Sequence, residues 1–140
     1  MGYISPRLVS ISFGHGSITP WVNGTTYYFA KLTGGPATTV AVRSIPIPSK
    51  GIITGFIFEE FCGTTTGSNE AWPMVLRVND TTDYTIDTQS LATPSRTWRN
   101  LSLNIPVNSG DLVVIKSVTP AWATPPSGGI GQGTLIIETG

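Results

Sequence analysis

Charged side chains are scarce in this sequence, and neither sign dominates. Of the 140 residues, 11% are Asp, Glu, Lys or Arg, with eight basic residues against eight acidic ones, whereas about 25% is usual in soluble domains. No basic patch is visible, so we expect no nucleic-acid partner bound through its phosphates. Low charge also weakens the protection against association that a charged surface gives, which fits a protein that works in an assembly.

Cysteine and histidine each occur once, as Cys62 and His15. A single cysteine cannot form an intrachain disulfide, and its position after an aromatic run predicts a buried small side chain. His15 lies between two glycines after the first predicted strand, where we expect a solvated loop residue. It cannot build a zinc site without further Cys or carboxylate partners. A site at a three-fold axis, with one histidine from each subunit, is the alternative.

Long apolar runs are missing as well. No stretch approaches the roughly 18 residues that a membrane-spanning helix needs, and the N-terminus lacks the basic start and apolar segment of a signal peptide. We therefore expect no membrane partner. A chain of 140 residues is of the usual size for one domain. We expect a single domain over 1–140, with 1–7 as a candidate N-terminal arm.

Helix patterns are absent, whereas strand patterns are frequent. Sixteen glycines and eleven prolines interrupt the chain, and no sustained i, i+3, i+4, i+7 apolar repeat is present. Short alternating or apolar runs between turn residues predict eight or nine strands. The predicted strands are 8–13, 27–31, 39–47, 51–61, 74–78, 84–87, 97–105, 112–118 and 133–138.

This strand spacing is typical of an all-β fold, an antiparallel β-sandwich. The number of strands favours a jelly-roll-like architecture, and the Cys…Trp…Cys signature of immunoglobulin domains is missing. We expect the most apolar run, 51–61, to be a central strand. The run 39–47 contains Pro46 and is followed by another proline, so we expect it at a sheet edge or at a strand end.

Acidic residues occur in pairs and clusters that could carry chemistry. Glu59 and Glu60 are adjacent, and neighbours in a strand point to opposite faces, so they do not form a general acid–base pair. We expect one solvated carboxylate and one hydrogen-bonded carboxylate. The segment 79–82 (NDTT) predicts a hairpin turn; a weak calcium site is the alternative, although the nearby aspartates do not have calcium-loop spacing.

All four tryptophans lie near predicted strand ends or loops. They are Trp21, Trp72, Trp98 and Trp122. Large rings at such positions can plug the ends of a sandwich, fill a subunit interface or stack on sugars. The first interpretation is favoured. Trp122 also lies in a proline-bounded loop, whose restricted backbone would lower the entropy lost on ordering a contact.

Motifs of known catalytic chemistry are not found. No CxxC, HExxH or GxSxG pattern occurs, nor does a glycine-rich loop followed by lysine. Glycoside hydrolysis needs two positioned carboxylates, and the sequence singles out no pair among its eight acids. We therefore expect that the protein is not an enzyme and has no catalytic residues, cofactor or metal.

Four strings carry a resemblance to a known kind of protein: GSNEAW (67–72), LRVNDTTD (76–83), LNIPV (103–107) and KSVTPAWATP (116–125). Together with GYISP at 2–6 and TYYF at 26–29, they resemble a β-rich module of small virion proteins of tailed bacteriophages, also found at the tips of some phage fibres. The resemblance covers most of the chain and is strongest from residue 51 onward.

The resemblance implies a jelly-roll-like phage structural protein that often forms trimers. The sequence shows no long N-terminal shaft or coiled-coil segment, which favours a capsid decoration, or cement, protein. Such a protein is made in the host cytoplasm and lies on the capsid exterior, bound to the major capsid protein and to copies of itself. The alternative is a fibre-tip module that binds a host receptor or surface glycan. Candidate interface residues are Tyr3, Ile4, Arg7, Trp21 and Trp122.

Overall fold

The computed structural model describes residues 7–18, 21–30, 35–38, 44–62, 70–90 and 95–140. Within these ranges the chain forms ten strands and no helix. The described residues therefore contain no helix long and apolar enough to cross a membrane. The strands are β1 (Arg7–Ile18), β2 (Thr26–Phe29), β3 (Ile45–Pro46), β4 (Gly51–Cys62), β5 (Trp72–Val78), β6 (Thr82–Gln89), β7 (Ser95–Asn100), β8 (Ile105–Val107), β9 (Leu112–Val118) and β10 (Gly129–Thr139).

The strands pair antiparallel in a nested order. The hairpin β5–β6 is innermost; β4 pairs with β7, β2 pairs with β9, and β1 pairs with β10. Sheet A has the order β1-β10-β4-β7 with β8 also beside β4, and sheet B has the order β2-β9-β5-β6 with β3 also beside β9. Ten strands thus occupy the eight positions of a jelly roll. The predicted all-β, jelly-roll-like sandwich is confirmed.

The strand order of the two sheets tests the predicted positions of the runs 51–61 and 39–47. The run that was expected to be central becomes β4, which lies inside sheet A between β10 and β7. The proline-containing run is described only from residue 44, where Ile45 and Pro46 pair with β9 at the outer side of sheet B. The first part of that run, 39–43, lies outside the described residues.

The predicted strand 97–105 is wrong, because the chain leaves sheet A in its middle. The side chain of Asn100 accepts a hydrogen bond from the Ser102 backbone N–H (2.9 Å), and the Leu103 N–H donates to the Thr54 carbonyl (3.1 Å). This turn separates β7 from β8 and leaves Leu101 exposed. Apolar alternation continues across the turn, so the pattern alone did not reveal it.

A cluster of four tryptophans closes one end of the core. The Trp72 ring lies 5.2 Å from Trp21, 5.2 Å from Trp98 and 5.1 Å from Trp122, and the three interplanar angles are 76°, 82° and 90°. Such edge-to-face pairs add stability beyond the buried area. The Trp72 indole donates to Ser117 Oγ (2.7 Å), and the Trp98 indole donates to the Trp72 carbonyl (2.8 Å). The interpretation of these rings as the plug of the sandwich is confirmed.

Replacing the central ring of this cluster should strongly destabilise the fold. We expect Trp72→Ala to lower the free energy of unfolding by about 3–5 kcal/mol, because it removes a fully buried aromatic ring and leaves a cavity. Chemical denaturation followed by circular dichroism measures this. The control is Phe61→Ala, at a half-exposed phenylalanine, for which a loss of about 1 kcal/mol or less is expected. Equal losses in the two variants would contradict the role given to Trp72.

Candidate functional site

The histidine lies inside the protein and not in a loop. Strand β1 continues past Phe13, with Gly14 opposite Gln132 and His15 opposite Gly131 in β10. Because side chains alternate along a strand, His15 faces the core like Phe13, and it is buried. The expectation of a solvated loop residue is therefore wrong. The two flanking glycines do not end the strand, since β10 supplies partners on this stretch.

Across sheet A, His15 meets a buried carboxylate. In β4, Glu60 also lies opposite Gly131. His15 and Glu60 therefore approach each other over β10, which lies between their two strands. His15 Nε2 lies 2.6 Å from Glu60 Oε2, and both side chains are fully buried. Glu59 is exposed on the opposite face. The expectation of one solvated and one hydrogen-bonded carboxylate is confirmed.

The hydrogen bonds of His15 show how many protons the pair holds. His15 Nδ1 lies 2.7 Å from the Gly16 carbonyl, which can only accept, so Nδ1 carries a hydrogen. The contact between Nε2 and Glu60 Oε2 then needs one proton, located on either the imidazole or the carboxyl group. Burial raises the pKa of Glu60 to about 7, and the hydrogen bond and the charge of His15 only partly oppose this. The pair therefore keeps its shared proton up to near neutral pH.

Glycines in β10 make room for this pair. A Cβ atom on Gly131 would lie 2.5 Å from Glu60 Oε2 and 2.8 Å from His15 Nε2, and it would overlap the Phe58 ring. A Cβ atom on Gly129 would overlap Glu60 Oε1. Glycine in a strand often marks such a close approach. The alternate glycines of β10 therefore leave the space in which His15 and Glu60 meet on the inner face of sheet A. We call these two side chains the polar row.

Two polar atoms next to the pair have no conventional hydrogen bond. Among the described residues, neither Glu60 Oε1 nor the Trp21 indole N–H has an oxygen or nitrogen partner. The indole instead faces the sulfur of Cys62, a weak acceptor. Burial raises the pKa of Cys62 to about 12, and the Glu60 charge adds to this against the Trp21 hydrogen bond. The thiol is therefore protonated and buried, as the sequence predicted.

The buried groups do not make a metal centre. In the described part of the chain, no three side chains among His, Cys, Asp and Glu are grouped so that they could hold a metal ion. His15 and Glu60 are fully enclosed, so the pair can hold or exchange a proton and does not present a surface for a substrate.

A patch of exposed side chains lies directly outside this pair. Glu59 pairs with Gln132, and Phe61 pairs with Ile130, so these four side chains share the outer face of sheet A. We call them the outer patch. Phe61 and Ile130 are each 53% exposed. The four line an open depression of about 520 Å³, to which Gly131 and His15 also contribute.

The outer faces of the two sheets differ in character. On sheet A the apolar surface of the outer patch continues to Ile57, which is also exposed. On sheet B, Asp83 binds both Arg77 (3.3 Å) and Lys116 (2.8 Å), and Arg77 also contacts Asp80 (2.9 Å). The outer face of sheet A therefore carries an exposed apolar cluster among polar residues, and the outer face of sheet B carries ion pairs.

The turn between β5 and β6 belongs to the charged face. Asn79 and Asp80 have φ angles of 53° and 54°, as the two central residues of a type I′ hairpin turn require. The predicted hairpin is confirmed. Asp80 and Asp83 are engaged with Arg77, which gives the calcium alternative no support.

The predicted interface residues are only partly brought to the surface. Trp21 and Trp122 are 1% and 3% exposed, so the expectation that they present a ring for contact is wrong. Their loops are joined by a hydrogen bond in which Asn23 Nδ2 donates to the Trp122 carbonyl (2.8 Å). Arg7 is exposed at the start of β1. Tyr3 and Ile4 lie outside the described residues.

Neither the His15–Glu60 pair nor the outer patch was predicted from local sequence patterns. The available signal was the series Gly129, Gly131 and Gly133 inside an apolar strand, because alternate glycines on one face indicate that large groups approach from neighbouring strands. The partners could not be named from this signal, since they lie far away along the chain.

Comparisons with known proteins do not assign this chain to a family. No protein-family model matches the sequence, and no curated protein matches it. Similar solved structures include FlhE (TM-score 0.49, 10% identity, 97% of this chain and 98% of that one). Two further structures are dimeric latent PorU from Porphyromonas gingivalis (0.49, 10%, 97% and 13%) and infectious bursal disease virus, Gx strain (0.42, 12%, 96% and 32%). None of these likenesses indicates what this chain binds.

A side chain at the central glycine should break the buried pair. We expect Gly131→Ala to lower the free energy of unfolding by about 1–3 kcal/mol, because the added methyl group overlaps Glu60, His15 and Phe58. Denaturant titration of the purified variant measures this. Gln132→Ala, one residue away on the outer face, is the control and should change stability by about 0.5 kcal/mol or less. A Gly131→Ala protein as stable as the wild type would refute the close packing.

The raised pKa of Glu60 makes stability depend on pH. Between pH 4.5 and 7 the native state keeps a proton at Glu60 that this carboxyl has lost in the unfolded state, so the contribution of Glu60 to the free energy of unfolding falls as pH rises. This contribution amounts to about 3 kcal/mol and is fully lost above pH 7. Denaturation of the wild type and of Glu60→Gln at several pH values measures it, because the wild type should lose stability relative to Glu60→Gln as pH rises through this range. Glu59→Gln should behave like the wild type; parallel profiles for the wild type and Glu60→Gln would contradict the assignment.

Proposed function

We propose that this protein is a structural protein of a tailed-phage virion, a decoration protein that binds the capsid exterior. It is made in the host cytoplasm and docks on the major capsid protein through the outer face of sheet A. The observation that carries the proposal is the contrast between the two outer faces. The outer face of sheet A bears the exposed apolar pair Phe61 and Ile130, and the outer face of sheet B bears ion pairs around Asp83. The resemblance of the sequence to small phage virion proteins supports the same role.

The outer patch has the composition of a docking surface. Exposed apolar groups gathered on one face mark interaction sites, and aromatic residues are enriched where binding energy is concentrated. Phe61 and Ile130 are about half exposed, so burying each of them fully would contribute about 1 kcal/mol. Glu59 and Gln132 beside them provide polar groups that can fix the orientation of a partner.

Stabilisation of the shell follows from linkage. A protein that binds the assembled shell and not its separated subunits shifts the equilibrium toward the shell. We propose that the protein acts as a homotrimer, because three linked patches bind more tightly than one when their geometry matches the shell. The role requires no catalysis, cofactor, nucleic acid or membrane.

The fibre-tip alternative has lost its main motivation. It depended on tryptophan rings presented by loops for stacking on a glycan, and both Trp21 and Trp122 are buried. We therefore give the decoration role alone.

Co-sedimentation with purified, expanded, undecorated capsids tests the proposal. We expect the wild type to pellet with capsids and Phe61→Glu to lose at least about tenfold in affinity, because a charge would be buried against an apolar contact. The matched control is Thr85→Glu, which places the same charge on the exposed outer face of sheet B and should bind like the wild type.

Two results would overturn the proposal. One is wild-type protein that stays in the supernatant at every capsid concentration. The other is an equal loss of binding for Phe61→Glu and Thr85→Glu, which would show that sheet A is not the docking face.

A further inference from the structure

We infer that the proton shared by His15 and Glu60 regulates the outer patch, which takes its binding shape when the proton is present and changes shape when it is lost. The inference deepens the proposed function and rests on it for its biological meaning. The change of shape itself is a property of the chain that can be measured without a partner.

The buried pair and the outer patch share the same short pieces of backbone. In β4, Glu60 lies between Glu59 and Phe61; in β10, Gly131 lies between Ile130 and Gln132. Neighbours in a strand point to opposite faces, so the outer patch is the reverse side of the polar row. The His15 side chain is fully buried, so it is the backbone at His15 and Gly131 that borders the same depression. A movement of Glu60 therefore moves patch residues directly.

Loss of the shared proton removes the hydrogen bond that holds Glu60. The Gly16 carbonyl keeps the hydrogen of His15 on Nδ1, so Nε2 then presents a lone pair to a carboxylate oxygen 2.6 Å away. Two acceptors at this distance repel each other. The other oxygen, Oε1, has no partner among the described residues that could compensate.

Within the described ranges, the groups around Glu60 do not neutralise its charge. From β1, it faces His15; on its own strand, it has Cys62, whose thiol is neutral; from β10, it faces Gly129 and Gly131, which carry no side chain. Its register partner in β7 is Arg96, whose guanidinium Nε donates to Gln89 Oε1 (3.2 Å). The remaining neighbours are the Trp21 indole and the Phe58 ring.

Contact with water would stabilise the ionised Glu60 carboxylate. A buried unpaired charge is unfavourable, and the thinnest cover over it is the glycine stretch of β10, with the open depression on the other side. We therefore place the rearrangement at Gly129 and Gly131. It displaces Ile130, which lies between these two glycines and is one of the two apolar residues of the outer patch.

A pH titration by NMR tests the change of shape without a partner. The probe is the δ1 methyl signal of Ile130 between pH 5 and 8.5. We expect the signal to shift with a midpoint near pH 7, where Glu60 loses its proton. The shift should persist in Glu59→Gln, which removes the nearest exposed carboxylate. It should vanish in Glu60→Gln, since glutamine imitates the protonated acid and cannot lose the proton.

Capsid binding measured at pH 6 and pH 8 tests the regulation. We expect wild-type affinity to fall by about tenfold at pH 8, within the usual range of coupling between two sites, and Glu60→Gln to bind equally at both values. An Ile130 signal that does not titrate, or that titrates in Glu60→Gln as well, overturns the inference. So does wild-type binding that is independent of pH.

Failure of the proposed function would look different. If the Ile130 signal titrates as expected and no capsid binding occurs at either pH, the decoration role is overturned, while proton control of the patch stands.

Discussion

The architecture of sheet A depends on three glycines that leave the first half of the inner face of β10 without side chains. β10 runs between β1 and β4 and places glycines at 129, 131 and 133 toward the core. Large inward groups of the two neighbouring strands can therefore meet over it. Phe13 and Phe58 stack with ring centroids 6.0 Å apart and an interplanar angle of 11°, and His15 reaches Glu60 one row further on. A Cβ atom on Gly133 would overlap the Ile57 carbonyl oxygen, so this strand accepts little else.

A polar row within an aromatic core has consequences for both faces of the sheet. Buried polar groups are costly unless they are hydrogen-bonded, and a single proton supplies the hydrogen bond between His15 Nε2 and Glu60 Oε2. The outward neighbours of the same residues form the most exposed apolar pair of the two strands, Phe61 and Ile130. The polar row and the outer patch lie on opposite faces of the same backbone segments. A substitution that shifts this backbone therefore affects both the buried pair and the exposed surface.

The parts of the fold that could be predicted are those that local patterns determine. Alternation and turn residues predicted the all-β sandwich, and the Asn79–Asp80 hairpin followed from its own residues. The break near Leu101 could not be predicted, since alternation continues through it. The burial of His15 depends on Glu60, 45 residues away. The Trp122 ring packs against Trp72 in the core, and its loop is joined to that of Asn23, 99 residues away. These outcomes are set by tertiary contacts, which local sequence patterns do not report.

The nested pairing also orders the assembly of the chain. The hairpin β5–β6 joins residues close in sequence, whereas β1 and β10 bring Arg7 next to Thr139. Closing a long loop is entropically unfavourable until inner contacts have shortened it, and folds dominated by distant pairings form slowly. The nested strand pairs are therefore expected to form from the β5–β6 hairpin outward, and β1 is expected to pair last. The His15–Glu60 pair, which needs β1, β10 and β4 together, would then form only in the final step of folding.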